Sequence, residues 1–155
     1  AVTLHHVKVP DDLNKNTLLE AEELAFRFKL FSLLGSKIKI SSVVVNNGAF
    51  FVNMDRNGEG NYDIFKETKG DASDEGSDLS IKLEEAKMVD VELIYADRQS
   101  NQDVVVNIKE ANMAGEFSGE RFALKSDAVF ESKFFETVDG RYFSGKNISY
   151  RADVD

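Results

Sequence analysis

The heptapeptide "LAFRFKL", Leu24–Leu30, carries the pattern that decides the fold. Apolar residues occupy every second position, and basic residues stand at two of the positions between them. Because side chains along a β-strand point alternately to opposite faces, Leu24, Phe26 and Phe28 share one face. The pattern therefore predicts a strand with one apolar face and one solvated face.

The same alternation returns in several later segments of the chain. In most of them, charged or small polar residues separate the apolar ones, which indicates further half-buried strands. The apolar positions are Ile38 and Ile40; Val43–Val45 as a continuous run; Val89, Val91, Leu93 and Tyr95; Phe122, Leu124, Ala128 and Phe130; and Ile148, Tyr150, Ala152 and Val154.

Short polar segments between these runs predict turns. Asn47-Gly48 and Asn57-Gly58 are dipeptides that favour tight turns, because both residue types tolerate a positive φ. The octapeptide "ADRQSNQD", Ala96–Asp103, lies between two alternating runs and predicts the loop of a hairpin. Strands joined in this way run antiparallel.

A short helix and a long loop are expected to interrupt the strands. "LFSLLGS", Leu30–Ser36, predicts one or two helical turns that end at Gly35. Thr68–Asp78 lacks apolar residues except one alanine and predicts a flexible internal loop. The predicted fold is mainly β: a curved antiparallel sheet of about eight strands, either groove-like or a partly closed sandwich, with one short helix.

Length and composition limit the class of protein. A chain of 155 residues predicts a single β-rich domain over residues 1–155. Both ends of the sequence look like strands already in progress, so we also expect a segment of a larger protein. The net charge of −9 argues against nucleic acid and anionic membrane surfaces as the main partner, and the absence of cysteine excludes disulfides and thiolate chemistry.

The stretch "MDRNGEGNYDIF", Met54–Phe65, poses the question of a calcium site, because Asp55, Asn57 and Glu59 stand at alternate positions. A calcium loop of the EF-hand type needs a glutamate at its twelfth position, and that position holds Lys66. It also needs a helix on each side, whereas both flanks are strand-like. The stretch therefore predicts a hairpin turn rather than a metal site.

No combination of residues forms a recognisable catalytic pattern. His5 and His6 are adjacent on a predicted strand, so they point to opposite faces and cannot easily bind one metal ion. The many acidic residues are typical of solvated outer faces. We therefore expect a non-enzymatic protein with no catalytic residues, no metal site and no cofactor.

The aromatic composition is the more informative signal, since the chain has twelve phenylalanines and no tryptophan. Such residues can form a closed core, or they can line an apolar groove that binds lipid. The sequence leaves both alternatives open. The candidates for lipid-facing positions are Leu24, Phe26, Phe28, Ile38, Ile40, Phe122, Leu124 and Phe130.

The order of these features resembles the AsmA family of bacterial envelope proteins, which are similar to TamB. The first part of the match is a leucine-containing helix closed by glycine, a lysine-flanked strand, an apolar strand ending in Asn-Gly, and a strand whose polar turn is closed by Gly-Asn and an aromatic residue. The second part is a strand ending in Tyr-x-Asp, a polar turn, and a strand that returns to a bend of small residues. The matching residues are Leu33, Leu34, Gly35, Ile38, Ile40, Val43, Phe51, Gly58, Asn61 and Tyr62, then Tyr95, Asp97, Val104, Val106 and Ile108.

The resemblance implies a periplasmic segment of a protein from Gram-negative bacteria. Such a parent protein is anchored in the inner membrane by an N-terminal helix that this sequence lacks. Its curved sheet would form part of an apolar groove for phospholipid transfer or outer-membrane assembly. The alternative is a β-sandwich binding or adhesion module with a closed core. In either case, an exposed edge strand could pair with a neighbouring segment.

Overall fold

The computed structural model describes residues 1–11, 16–28, 40–62, 84–118 and 121–154, and only the backbone of 116–118, 121–124 and 154. Eight strands form one sheet within these residues. Their bounds are β1 Val2–Pro10, β2 Thr17–Phe28, β3 Ile40–Met54, β4 Glu85–Asp97, β5 Gln102–Ser118, β6 Arg121–Thr137, β7 Gly140–Tyr142 and β8 Lys146–Val154.

The strands follow the order β1-β2-β3-β4-β5-β6, and both β7 and β8 pair with the outer edge of β6. All neighbours are antiparallel except β3 and β4, which run parallel. The extensive contacts between strands join sheet neighbours, and the sheet is not closed. Among the described strands, β1 is therefore the edge on one side, and β7 and β8 form the edge on the other.

The prediction of a mainly β fold with about eight mostly antiparallel strands is confirmed. The described strands form one open sheet, so the alternative of a partly closed sandwich is wrong for this part of the chain. No helix occurs within the described residues. The helix predicted at Leu30–Ser36 and the loop predicted at Thr68–Asp78 both lie outside them.

Two predicted turns are confirmed. β4 and β5 form the hairpin expected around Ala96–Asp103, with Asp97 directly opposite Gln102. The chain also turns at Asn57-Gly58, where Gly58 has a φ of 84°. The carboxylate of Asp55 stabilises this turn, because its Oδ1 accepts the backbone N–H of Asn57 at 2.7 Å.

The turn predicted at Asn47-Gly48 is wrong, because both residues lie inside β3. The φ of Asn47 is 50°, a positive value as the dipeptide suggested. This conformation distorts β3 locally but does not reverse the direction of the chain. His6 in β1 and Asp90 in β4 have φ values of 53° and 50°. The residues skipped by the pairing register form a line across five strands, which we call the break line: His6, Glu22, Asn47, Asp90 and Lys109.

Gly48 is required where the break line crosses β2 and β3. A Cβ atom at this position would lie 2.3 Å from the carbonyl oxygen of Glu20, closer than the two atoms can approach. The two strands can therefore pair through Gly48 and Ala21 only because residue 48 has no side chain.

The break line shifts the side-chain alternation by one residue. Val45 and Gly48 are three positions apart, yet both pair with residues that face the same side of the sheet. The prediction that Val89 and Val91 lie on the same face is wrong, because Asp90 of the break line lies between them. Met88 packs with Val91, whereas Val89 pairs with polar residues of the two neighbouring strands.

The hydrophobic core lies on one side of the sheet and is centred on β2, β3 and β4. Its buried members are Leu19, Ala21, Leu24, Val45 and Val91, and the last of these has no exposed surface. Partly buried side chains of the same sheet pack around them: Val7, Val9, Phe26, Val43, Phe50, Met88 and Ile108.

Candidate functional site

One side of the sheet, which we call the apolar face, collects apolar side chains from seven strands. Directly paired residues of neighbouring strands share a face, so the register lists its members row by row. One row runs Leu4, Leu24, Val45, Met88, Ala111, Ala128 and Tyr150. The next runs Val7, Ala21, Gly48, Val91, Ile108, Phe130 and Ile148.

The predicted lipid-facing residues differ in how accessible they are. Leu24 and Ile40 are buried, so neighbouring groups already cover their side chains. Phe26 and Phe28 are half-buried, and their ring centroids lie 6.4 Å apart. Phe130 is half-buried in the same row as Val91 and Ile108.

The remaining candidates cannot be placed in the same way. Ile38 lies outside the described residues. The backbones of Phe122 and Leu124 belong to β6, where they pair with Phe117 and Gly115 of β5. Their side chains lie outside the described part of the structure.

Sequence reasoning missed several residues of the apolar face, including Phe50 and Ile108. The signal that could have revealed them is a set of polar doublets: His5-His6, Glu22-Glu23 and Asn46-Asn47. Each doublet interrupts the alternation at the point where the break line crosses the strand. Across each doublet, the next apolar residue comes after three positions instead of two. Because the strand breaks there, that residue still lies on the apolar face.

The opposite face, which we call the polar face, carries most of the charged residues and several cross-strand ion pairs, although one of its rows is apolar: Phe51, Ile94, Val105 and Phe134. Lys8 Nζ lies 2.7 Å from Glu20 Oε1, and Lys87 Nζ lies 2.9 Å from Glu110 Oε1. The hydrogen bond from Lys87 holds the pKa of Glu110 below its usual value. Exposed pairs of this kind add little stability, but they show that the charged part of this face is in contact with water.

The apolar face changes character between its two halves. In β5 and β6, the buried side chains are small: Ala111, Ala128, Ser126 and Ser132. The hydroxyl groups of Ser126 and Tyr150 lie 2.8 Å apart, which satisfies a buried polar group. The bulky residues of the core therefore give way to small ones toward β8.

Two open depressions, each of about 330 Å³, lie along the break line. The first surrounds Gly48 and Ala21, and the second lies between His5, Glu22 and Asp90. No group of three or more histidine, cysteine, aspartate or glutamate side chains in the described ranges could hold a metal ion.

Two aspartates cap neighbouring turns at one end of the sheet. Because β3 and β4 are parallel, the turns after Met54 and after Asp97 lie side by side, and these two residues pair directly. Asp97 Oδ2 accepts the hydroxyl of Ser100 at 2.6 Å. That bond is the main cause of the lowered pKa of Asp97, and the backbone N–H of Glu59 has the same effect on the pKa of Asp55.

These carboxylates therefore stabilise turns. Asp55 Oδ1 already accepts two backbone N–H groups, from Asn57 and Glu59. Burial and the charge of Asp97 raise the pKa of Tyr95, whose hydroxyl lies 3.4 Å from the carboxylate. The arrangement keeps Asp97 ionised and Tyr95 protonated, as a structural hydrogen-bond network requires.

No family of proteins, curated protein or solved structure matches this chain. The resemblance to the AsmA family therefore stays a prediction. Within the part of the chain that the structure describes, no helix is long and apolar enough to cross a membrane.

Proposed function

We propose that this protein is a non-enzymatic, periplasmic segment of an AsmA-like envelope protein whose apolar face binds the acyl chains of phospholipid. The observation that carries the proposal is the combination of an open, single sheet with a continuous apolar face. Half-buried aromatic and aliphatic side chains on that face retain surface that a bound lipid would cover.

The described residues of the apolar face divide into two groups with different roles. Leu24, Val45 and Val91 are buried and hold the sheet together. Phe26, Phe50 and Phe130 are half-buried and would contact the lipid. Each methylene that they cover would contribute about 0.8 kcal/mol, so several weak contacts suffice to retain an acyl chain.

The length of the strands suits an extended ligand. β5 and β6 each have 17 residues, which corresponds to roughly 55 Å at 3.3 Å per residue. Half of a bilayer's hydrocarbon core is only about 15 Å thick. The break line keeps the core side chains of β1 to β5 on one side of the sheet, as a strip for a sliding lipid requires.

Native mass spectrometry of gently purified protein tests the proposal directly. We expect a population with the mass of the chain plus one or more phospholipids, and uptake of a fluorescent phospholipid by the delipidated protein. A lipid-free mass together with no uptake of the fluorescent phospholipid would contradict the proposal.

Photo-crosslinking locates the bound lipid on one face. The substitution Phe130→p-benzoylphenylalanine should give a crosslink to phospholipid. The matched control is Val129→p-benzoylphenylalanine, because Val129 is the adjacent residue, is exposed, and pairs with Glu110 of the polar face. Equal crosslinking at both positions would indicate non-specific adsorption rather than binding to the apolar face.

A further inference from the structure

The hairpin between β6 and β7 exposes an unusual group of apolar side chains. Val138 in the turn is 77% exposed, and Phe143 just after β7 is 63% exposed. They are the two most exposed large apolar side chains among the described residues. Together with Phe135 and Tyr142, they form what we call the aromatic tip.

The aromatic rings of the tip form one cluster. The ring centroid of Phe135 lies 6.3 Å from that of Tyr142 and 6.4 Å from that of Phe143. Aromatic pairs at such distances attract each other beyond the effect of burial alone. The exposed ring of Phe143 therefore belongs to a defined surface.

The backbone holds Phe143 in place at some cost. Its φ is 53°, a left-handed conformation that is rare for a bulky residue. The following turn maintains it, because Ser144 Oγ donates to the carbonyl of Lys133 at 3.0 Å and Gly145 N–H donates to the carbonyl of Ser132 at 2.7 Å. A strained residue whose ring is left in water points to a function outside the fold itself.

The aromatic tip continues the apolar face. The register joins Val52, Tyr95, Val104, Phe135 and Tyr142 in one row. Val91, Leu93 and Tyr95 occupy every second position of β4 and therefore point to the same side of the sheet. Because Val91 belongs to the core, this row lies on the apolar face. The apolar face thus ends in the most exposed apolar residues of the described chain.

Charges around the tip are nearly balanced, whereas the chain as a whole has a net charge of −9. Residues 133–146 contain three basic and two acidic side chains. Arg141 lies over the ring of Phe134, 4.5 Å from its centroid, and its Nη2 lies 2.6 Å from Glu136 Oε2. The tip therefore lacks the strong negative charge that would repel a phosphate-bearing surface.

We propose that the aromatic tip docks the protein onto the interfacial region of a lipid bilayer. Aromatic rings favour the boundary between headgroups and acyl chains, and Arg141 would lie at the level of the phosphates. A bilayer fits better than a protein partner, because a specific protein interface needs about 800 Å² per partner. An interface of that size takes about 20 to 30 residues a side, whereas the aromatic tip consists of four.

The chain has no tryptophan, which makes the test direct. The variant Phe143→Trp carries the single indole, and its fluorescence reports on residue 143 alone. We expect a blue shift and a rise in intensity upon titration with phosphatidylcholine vesicles. The control is Val129→Trp, an exposed position that pairs with Glu110 on the face opposite the apolar one, whose emission should stay unchanged.

Loss-of-binding variants give a second measurement by vesicle sedimentation. Phe143→Ser and Val138→Ser should each lower the partition coefficient about tenfold, since each removes one inserted apolar side chain. Val129→Ser, the same kind of change at an exposed position of the opposite face, should leave it unchanged. Both tip residues are exposed, so circular dichroism should show that the variants keep the fold. Raising the salt concentration should weaken binding little, because insertion is apolar rather than ionic.

Either of two outcomes would overturn docking: no fluorescence change of Phe143→Trp at high lipid concentration, or equal partitioning of the serine variants and the unmodified protein. A tip that instead mediates dimerisation, seen by analytical ultracentrifugation and lost in Phe143→Ser, would also overturn it. The proposal stands separately from lipid binding by the apolar face. Phe143→Ser should still take up a fluorescent phospholipid from detergent solution, so the two proposals can fail independently.

Discussion

The inner strands and the edge strands of the sheet contribute to the same apolar face but differ in burial. Leu4 in β1 and Leu24 in β2 are direct partners on this face. Leu4 is 45% exposed, whereas Leu24 is 5% exposed. Tyr150, at the far end of the same row in β8, is again exposed. The difference is that an edge residue has a strand on one side only.

This comparison shows where the stability of the sheet comes from. The core cluster of the described residues consists of side chains from one sheet that cover each other sideways. Burial therefore depends on the lateral position of a strand more than on the hydrophobicity of its residues. Mutations of the same chemical type should have very different effects in the inner and edge strands.

The largest effect is expected for Leu24→Ala, which should lower the free energy of unfolding by about 3 kcal/mol because it leaves a cavity among packed neighbours. The matched control is Leu4→Ala, the same change on the directly paired residue of β1, which should cost less than about 1 kcal/mol. Urea denaturation followed by circular dichroism measures both. Equal losses would disprove the dependence on lateral position.

The next effect tests the break line. Val91→Ala should lower the free energy of unfolding by about 2 kcal/mol, because Val91 has no exposed surface. Val89→Ala should cost less than half as much, since Val89 pairs with Asn46 and Glu110 on the polar face. Without the break line, Val89 and Val91 would lie on the same face of β4. Equal unfolding midpoints of the two variants would therefore argue against a change of face between these residues.

A smaller loss, on the order of 1 to 2 kcal/mol, is expected for Gly48→Ala, because its Cβ would meet the backbone of β2. Asn47→Gly is the matched control at the adjacent position. It should be neutral or slightly stabilising, since glycine adopts the positive φ of residue 47 without strain. Thermal unfolding of both variants measures the difference, and tolerance of alanine at position 48 would contradict the close approach.

The smallest effect concerns the turn carboxylates. The folded protein lowers the pKa of Asp97 below its ordinary value of 3.8. Its contribution to stability is therefore complete above that value, and it is lost as the pH falls through the lower folded pKa. Asp97→Asn should show a smaller drop in melting temperature between pH 5 and about pH 2 than the unmodified protein.

Asp139→Asn, an exposed carboxylate in the β6–β7 turn, provides the charge-matched control for Asp97→Asn. It should follow the acid dependence of the unmodified protein more closely. Parallel curves for the unmodified protein and Asp97→Asn would show that the hydrogen bonds from Ser100 and Gln99 do not couple folding to protonation.

Local patterns predicted much of the fold. The alternation in Leu24–Phe28 and the polar octapeptide Ala96–Asp103 marked a strand and a hairpin that the structure contains. The same reasoning failed at Asn47-Gly48, because a positive φ serves both a turn and a break within a strand. Which of the two forms depends on whether neighbouring strands pair across the residue, and those strands are distant in sequence.

The candidate sites could be predicted only in part. The aromatic residues of the apolar face follow from their spacing, but their accessibility does not. Leu24 and Phe26 have the same pattern in the sequence, yet one is buried and the other half-buried. The exposure of Val138 and Phe143 could not be predicted, because it depends on the short β7 ending just before residue 143.

By itself, the sequence determined most of the segments that form strands and their alternation of apolar and polar residues, because both properties depend on residues within a few positions of each other. Only the tertiary structure decided that β3 and β4 run parallel, that five strands break along one line, and which apolar residues are covered. These features depend on the strand that lies alongside. A residue's lateral neighbours come from distant parts of the chain. How far the residue is buried, and which face of the sheet it lies on, is therefore decided only when the sheet assembles.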